Sequence, residues 1–130
     1  MTLIDENMAE QACLDWFEEL GYLREFGPDI APGGSNQERA SYKQIVLQDR
    51  LLNALRRINP TIPNAILEDT ARQVIHGNAA SLMQANRQFH RWLTDGVPVE
   101  VQRDGETLGD RVRLIDFNDA VANEWLVINQ

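Results

Sequence analysis

Lysine and arginine are scarce in this sequence. There are 12 of them against 20 aspartates and glutamates, giving a formal net charge of −8 and an isoelectric point near 4.6. Phosphate binding draws on clustered cations, so this balance excludes a surface that is basic throughout, while leaving room for a local basic stripe. Cysteine is almost missing too. With Cys13 alone, no intramolecular disulfide can form, which suits a reducing compartment. No stretch approaches the roughly 18 apolar residues of a membrane span. The opening MTLIDENMAEQ has neither the basic start nor the apolar run of a signal peptide. There is no Gly-rich phosphate loop, no HExxH, no CxxC and no serine in a nucleophile-elbow setting. These absences leave a cytoplasmic domain with no catalytic group that can be assembled from its own residues.

What is present looks ordinary for a globular chain. At 130 residues, 43% hydrophobic and 25% charged, one domain over residues 1–130 can bury a core unaided. The first half has a helical period. Ala12, Cys13, Trp16, Phe17 and Leu20 recur at steps of three and four, predicting a helix over 8–20 with Gly21 as its C-terminal stop. YLREFGPDIAPGGSN reads as a short extended piece and then an exposed loop. A second helix is predicted over 38–58, where Leu47, Leu51, Leu55 and Ile58 line one side and NPTIP ends it. A third runs from Pro63, in its first turn, to His76, and a fourth over 82–93 turns Ala85, Phe89, Trp92 and Leu93 inward.

The period then changes to two. Val97, Val99 and Val101 alternate with polar residues, Asp104-Gly105 is a hairpin turn, and Val112, Leu114 and Asp116 alternate in a second strand. DFNDAVAN reads as a turn or short helix before a last strand in NEWLVIN. The layout is four helices and then a sheet that has only begun, an α/β (α+β) arrangement. Its expected core is Trp16, Phe17, Leu51, Leu55, Phe89 and Leu114.

Few side chains stand out chemically. Glu10 shares the inward face of the first helix with Cys13 and Phe17. A carboxylate there is costly unless paired or metal-bound, although a boundary position or an acid near the helix N-terminus explains it equally. Arg39, Lys43, Arg50 and Arg57 are spaced 4, 7 and 7 apart, which on a continuous helix keeps them within about 40° of arc. They read as a basic stripe open to DNA, or more plainly as a solvated face. His76 and His90 read as capping or surface residues, and Cys13 as a small packed hydrophobe.

Three longer stretches carry a resemblance: ERASYKQIVLQDRLLNALRRINPTIP, LMQANRQFHRWLTDGVPVEV and RVRLIDFNDAVANEWLVINQ. Together with EQACLDWFEELGY and GPDIAPG, they resemble the N-terminal region of the restriction (HsdR) subunit of type I restriction-modification enzymes. The most specific pieces are Asn59-Pro60, Asn86, the GVPV strand, Leu114-Ile115-Asp116-Phe117 and Asn129-Gln130. The resemblance implies the opening part of a PD-(D/E)xK-type restriction endonuclease-like fold. In that family the chain continues to an Arg-Pro-Asp segment and a Glu-x-Lys strand that form the metal centre, and then to an ATP-driven DNA translocase. This sequence therefore reads as a truncated front part that lacks the catalytic Asp and Glu-x-Lys. It is expected to be inactive alone and to need no cofactor itself, while the parent subunit uses Mg²⁺ and ATP. Glu10 matches an acidic residue on the first helix that approaches the metal in this nuclease class. The implied partners are DNA and the methyltransferase and specificity subunits, with self-association through an exposed C-terminal strand. Two other readings stand beside this one: a stand-alone module docking on restriction-modification subunits, and an acidic anti-restriction DNA mimic.

Overall fold

The computed structural model describes residues 5–77 and 79–129. The chain divides into two compact units, one made of residues up to 45 with those from 124 onward, the other of Val46–Asn123.

In the first unit, helix α1 (Glu6–Glu19) begins where the Asp5 carboxylate accepts from the Met8 N–H at 2.8 Å. It ends in paired bonds from Gly21 N–H to the Glu18 carbonyl and from Tyr22 N–H to that of Phe17. Such bonds satisfy carbonyls that a helix end leaves open, and Gly21 adopts the positive φ they require. Strand β1 (Leu23–Glu25) follows and is tied to α1 through Arg24, which reaches Asp15 at 3.0 Å and Gln11 at 2.5 Å. The short helix α2 (Gly27–Ile30) comes next, with Ile30 buried. The chain then folds back so closely that a Cβ on Gly34 would lie 2.2 Å from the Asp29 carbonyl oxygen, which only glycine avoids. Strand β4 (Leu126–Ile128) pairs with β1 in parallel, Leu23 opposite Leu126 and Glu25 opposite Ile128.

The second unit holds helices α3 (Gln48–Ile58), α4 (Asn64–His76) and α5 (Leu82–Asp95). An antiparallel hairpin follows, β2 (Val97–Arg103) with β3 (Glu106–Val112), in register from Val97↔Val112 to Arg103↔Glu106. Its turn, Asp104-Gly105, has φ of 52° and 78°, the two positive values that a type I′ connection needs. Leu55, Ile62, Leu67, Ala71, Trp92, Val97, Val101 and Val112 form one buried cluster, with Leu51 and Leu114 half-buried against it.

Asparagines fix the irregular segments of this unit. Asn59, 6% exposed, caps α3 by donating to the Leu55 carbonyl, and it brackets Arg113 by accepting from its N–H at 2.8 Å and donating to its carbonyl at 2.9 Å. Asn123 treats Asp116 the same way, at 2.8 Å in both directions. The Asp116 carboxylate meanwhile accepts from the N–H groups of Asn118 and Asp119, so a local turn replaces strand pairing there. A 3-10 turn, Ala120–Ala122, completes the segment.

Several expectations are corrected. The second predicted helix starts at Gln48, not near 38, because residues 39–44 satisfy their polar groups locally. Arg39 donates to the carbonyls of Tyr42 and Gln44, Ala40 N–H to the Gln44 side chain, and Lys43 N–H to the Ser41 hydroxyl. Such bonds compete with a helical ladder. The second hairpin strand lies at 106–112 and stops where Asn59 takes over the pairing of Arg113. The layout is not helices followed by one sheet, since β1 precedes four of the helices and the last strand joins it rather than the hairpin.

Of the expected core, Leu55 is buried and Leu51 and Leu114 are half-buried against it, but Trp16 (64% exposed), Phe17 and Phe89 are exposed. On α1 the buried residue is Leu14, which shares a hollow with Val127 and Ile128 of β4, while Trp16, Phe17 and Leu20 stay exposed. Cys13 is likewise exposed and not packed.

Candidate functional site

The residue singled out on α1 has a defined setting. Glu6, Glu10, Cys13, Leu14 and Phe17 recur at helical steps and form one wall of a hollow of about 260 Å³. The opposite wall is Val127 and Ile128 of β4, followed by Asn129. Glu10 is half-buried on this face, whereas Cys13 and Phe17, expected to turn inward with it, are exposed.

Hydrogen bonding and ring contacts tie down residues of both walls. Asn129 Oδ1 accepts from the Gly27 N–H at 2.8 Å, supplying a partner to an α2 N-terminus that has no side-chain cap of its own. Phe17 stacks edge-on against Tyr22, with ring centroids 4.9 Å apart, and Tyr22 lies 6.0 Å from Trp125. The pairing of β1 with β4 therefore brings the end of the chain against the first helix. Nothing in the three letters Leu-Arg-Glu of β1 announced that, which is why the second wall was not legible in advance.

The hollow offers two carboxylates and a thiol. Among the described residues, no three His, Cys, Asp or Glu side chains are grouped so as to hold a metal ion. Mg²⁺ prefers six oxygen ligands in near-octahedral geometry, some of them water, and the thiol of Cys13 is a poor match for it.

The four cations of the expected stripe do not share a helical face. Arg50 and Arg57 lie on α3, while Arg39 and Lys43 precede it, in the other unit. Arg39 is turned onto local carbonyls and lies 5.8 Å from the centre of the Tyr42 ring. Arg57 Nε donates to the Ala122 carbonyl at 2.5 Å. His76 is exposed in the last turn of α4, and His90 is exposed on α5.

Over residues 4–130 the sequence matches the family described as "Type I restriction enzyme R protein N terminus". The chain belongs to that family. It is 28% identical to the type I restriction enzyme HindI endonuclease subunit of Haemophilus influenzae. It is 29% identical to a protein of Methanocaldococcus jannaschii named as the type I restriction enzyme MjaIXP endonuclease subunit. Both alignments take in 98% of this chain and 12% of the relative, so the chain spans about an eighth of each relative's length. No solved structure matches it. Helices and small sheets together agree with an α/β class for this family member, and among the described residues no helix is long and apolar enough to cross a membrane.

Proposed function

We propose that this chain is the front part of a PD-(D/E)xK-type nuclease module in a type I restriction subunit, with Glu10 directed toward a metal centre that a longer polypeptide completes. The observation that carries this reading is the hollow itself. It places a half-buried carboxylate on α1 against the strand that, by the family resemblance, leads on to the catalytic segment. Two further features support it. A parallel two-stranded sheet is unusual in isolation, since parallel sheets normally continue and are covered on both faces. Trp16, Leu20, Leu23, Phe26 and Trp125 of the same unit are exposed apolar side chains of the kind that further structure covers.

The residues present do not themselves fit Mg²⁺, and we assign no step of hydrolysis to them. Glu10 would supply a carboxylate to the metal, and by the family resemblance the remaining acidic groups and the lysine near the attacking water would come from segments that follow residue 130. The ATP-driven motor belongs to the parent subunit, and DNA contact through Arg50 and Arg57 is weak. The outer edge of β4 gives a route to self-association. The same apolar residues favour a second reading, a module that docks on methyltransferase or specificity subunits, and pull-down with those subunits tests it.

Isothermal titration with Mn²⁺ tests the principal reading. A chain extended past residue 130 through the downstream strands binds Mn²⁺, and Glu10→Gln weakens that binding by about tenfold or more, as loss of a carboxylate close to a metal does. Equal affinity in the two proteins removes Glu10 from the site. Failure of the extended chain to bind Mn²⁺ at all refutes the nuclease reading.

A further inference from the structure

The acidity of this chain is unevenly placed. Of its 20 acidic residues, none falls within residues 70–94, whereas Arg72, Arg87, Arg91 and both histidines do. That stretch includes all of α5 except its last residue.

Helix α5 has two faces. Trp92 is buried, with Ala85, Gln88 and Leu93 half-buried beside it. On the opposite side Asn86, Arg87, His90, Arg91 and Thr94 are exposed, and they line an open groove of about 470 Å³ that ends at Asp95. At 100° per residue, Asn86 to Arg91 fall within an arc of about 140°, and the two arginines are one turn apart, about 6 Å along the axis.

Four other arginines of the chain are held by carboxylates. Arg24 pairs with Asp15 and Glu18, Arg56 with Glu68, Arg72 with Asp69 and Arg103 with Asp110. Among the described residues, neither Arg87 nor Arg91 has a carboxylate or other side-chain partner, although Asp95 is only four residues from Arg91. The groove's lining is polar or charged throughout. Protein interfaces usually place aromatic or aliphatic anchors at their centre, and none of the residues lining the groove is one, the exposed Met83 on the same side lying one turn before it. Guanidinium forks, an amide and a hydroxyl are groups that bind phosphate oxygens.

We propose that this face of α5 is a contact surface for the phosphate backbone of a nucleic-acid duplex, with Arg87 and Arg91 as the phosphate-binding residues and Asn86 beside them. The proposal rests on the restriction-subunit reading for its choice of partner. The net charge of −8 opposes approach, but at physiological salt the screening length is about 8 Å, so remote acids count for less than the local face. The binding is therefore weak, independent of base sequence and sensitive to salt.

Fluorescence anisotropy of a labelled mixed-sequence DNA duplex, without metal, tests this across a titration from roughly 50 to 200 mM salt. The proteins compared are the parent, R87Q/R91Q, and a charge-matched control, R111Q/R113Q. In the double variant the slope of log affinity against log salt falls by about 1.8, at about 0.9 for each phosphate no longer neutralised, and low-salt affinity drops about tenfold. The control keeps most of its binding. The proposal is overturned if R87Q/R91Q retains the parent's slope, if the control weakens as much, or if the parent does not bind the duplex. It is equally overturned if the parent ignores DNA and binds polyglutamate, which would make the partner an acidic polypeptide. Because no metal is present, these failures leave the Mn²⁺ result standing, and a failed Mn²⁺ titration leaves this one standing.

Discussion

Leu55→Ala lowers stability by about 2–5 kcal/mol, enough to bring a melting temperature down by something on the order of 10 °C. Leu55 is fully buried, within a cluster drawn from α3, α4, α5 and both strands of the hairpin. Shortening it strips apolar packing from its neighbours and leaves a void that helices pinned by a hairpin cannot easily close. Leu51→Ala costs less, since Leu51 is only half-buried at the edge of the same cluster. Trp16→Ala, on a side chain 64% exposed, stays within about 0.5 kcal/mol of the parent. Thermal melts followed by circular dichroism read all three. A Leu55→Ala melt that coincides with the parent's would mean the cluster is not where the chain keeps its stability.

Asn59→Ala costs about 2–4 kcal/mol although it removes little apolar surface. The side chain closes α3 at the Leu55 carbonyl and holds both backbone groups of Arg113, standing in for a neighbouring strand. Truncation leaves both backbone groups of Arg113 short of a partner, while the Leu55 carbonyl keeps the N–H of residue 59, and water reaches this region poorly because Asn59 itself is 6% exposed. Asn59→Asp does no better at neutral pH. Its carboxylate still accepts from Arg113 N–H, but it faces two carbonyl oxygens to which the amide had donated. Denaturant unfolding of both variants checks this, and an Asn59→Asp protein as stable as the parent would contradict the bracketing role.

Features with strong local signals were legible in the sequence. The apolar repeat of α3 beyond Gln48, the helices α4 and α5, and the Asp104-Gly105 turn emerge close to where spacing and turn chemistry put them. The misses have physical causes. Residues 39–44 carry enough side-chain donors and acceptors to satisfy their own backbone, so an apparent helical period did not become a helix. Strand β1 is three residues long and its partner lies about a hundred residues away, a pairing that no local pattern encodes. On α1 the apolar face was judged by size, yet burial went to Leu14 because β1 and β4 cover that side.

The candidate site divides in the same way. Helical spacing was enough to put Glu10 beside Cys13 and Phe17, and they do line one hollow. The far wall depends on the long-range pairing of β4 and could not be read in advance. The basic stripe failed at its premise, since the spacing of 4, 7 and 7 aligns cations only if the helix is continuous. The face of α5 is visible in sequence as a long gap in the acidic residues, which a search for recurring cations passes over.

The most direct measurement is incubation of supercoiled plasmid with the purified 130-residue chain in Mg²⁺ or Mn²⁺, followed by electrophoresis. The expected result is no conversion to nicked or linear DNA, because on the proposed reading this chain would give a metal centre only Glu10, and among the described residues no three His, Cys, Asp or Glu side chains are grouped so as to hold a metal ion. Metal-dependent cleavage that follows the chain through successive purification steps and vanishes in Glu10→Gln would contradict that outright.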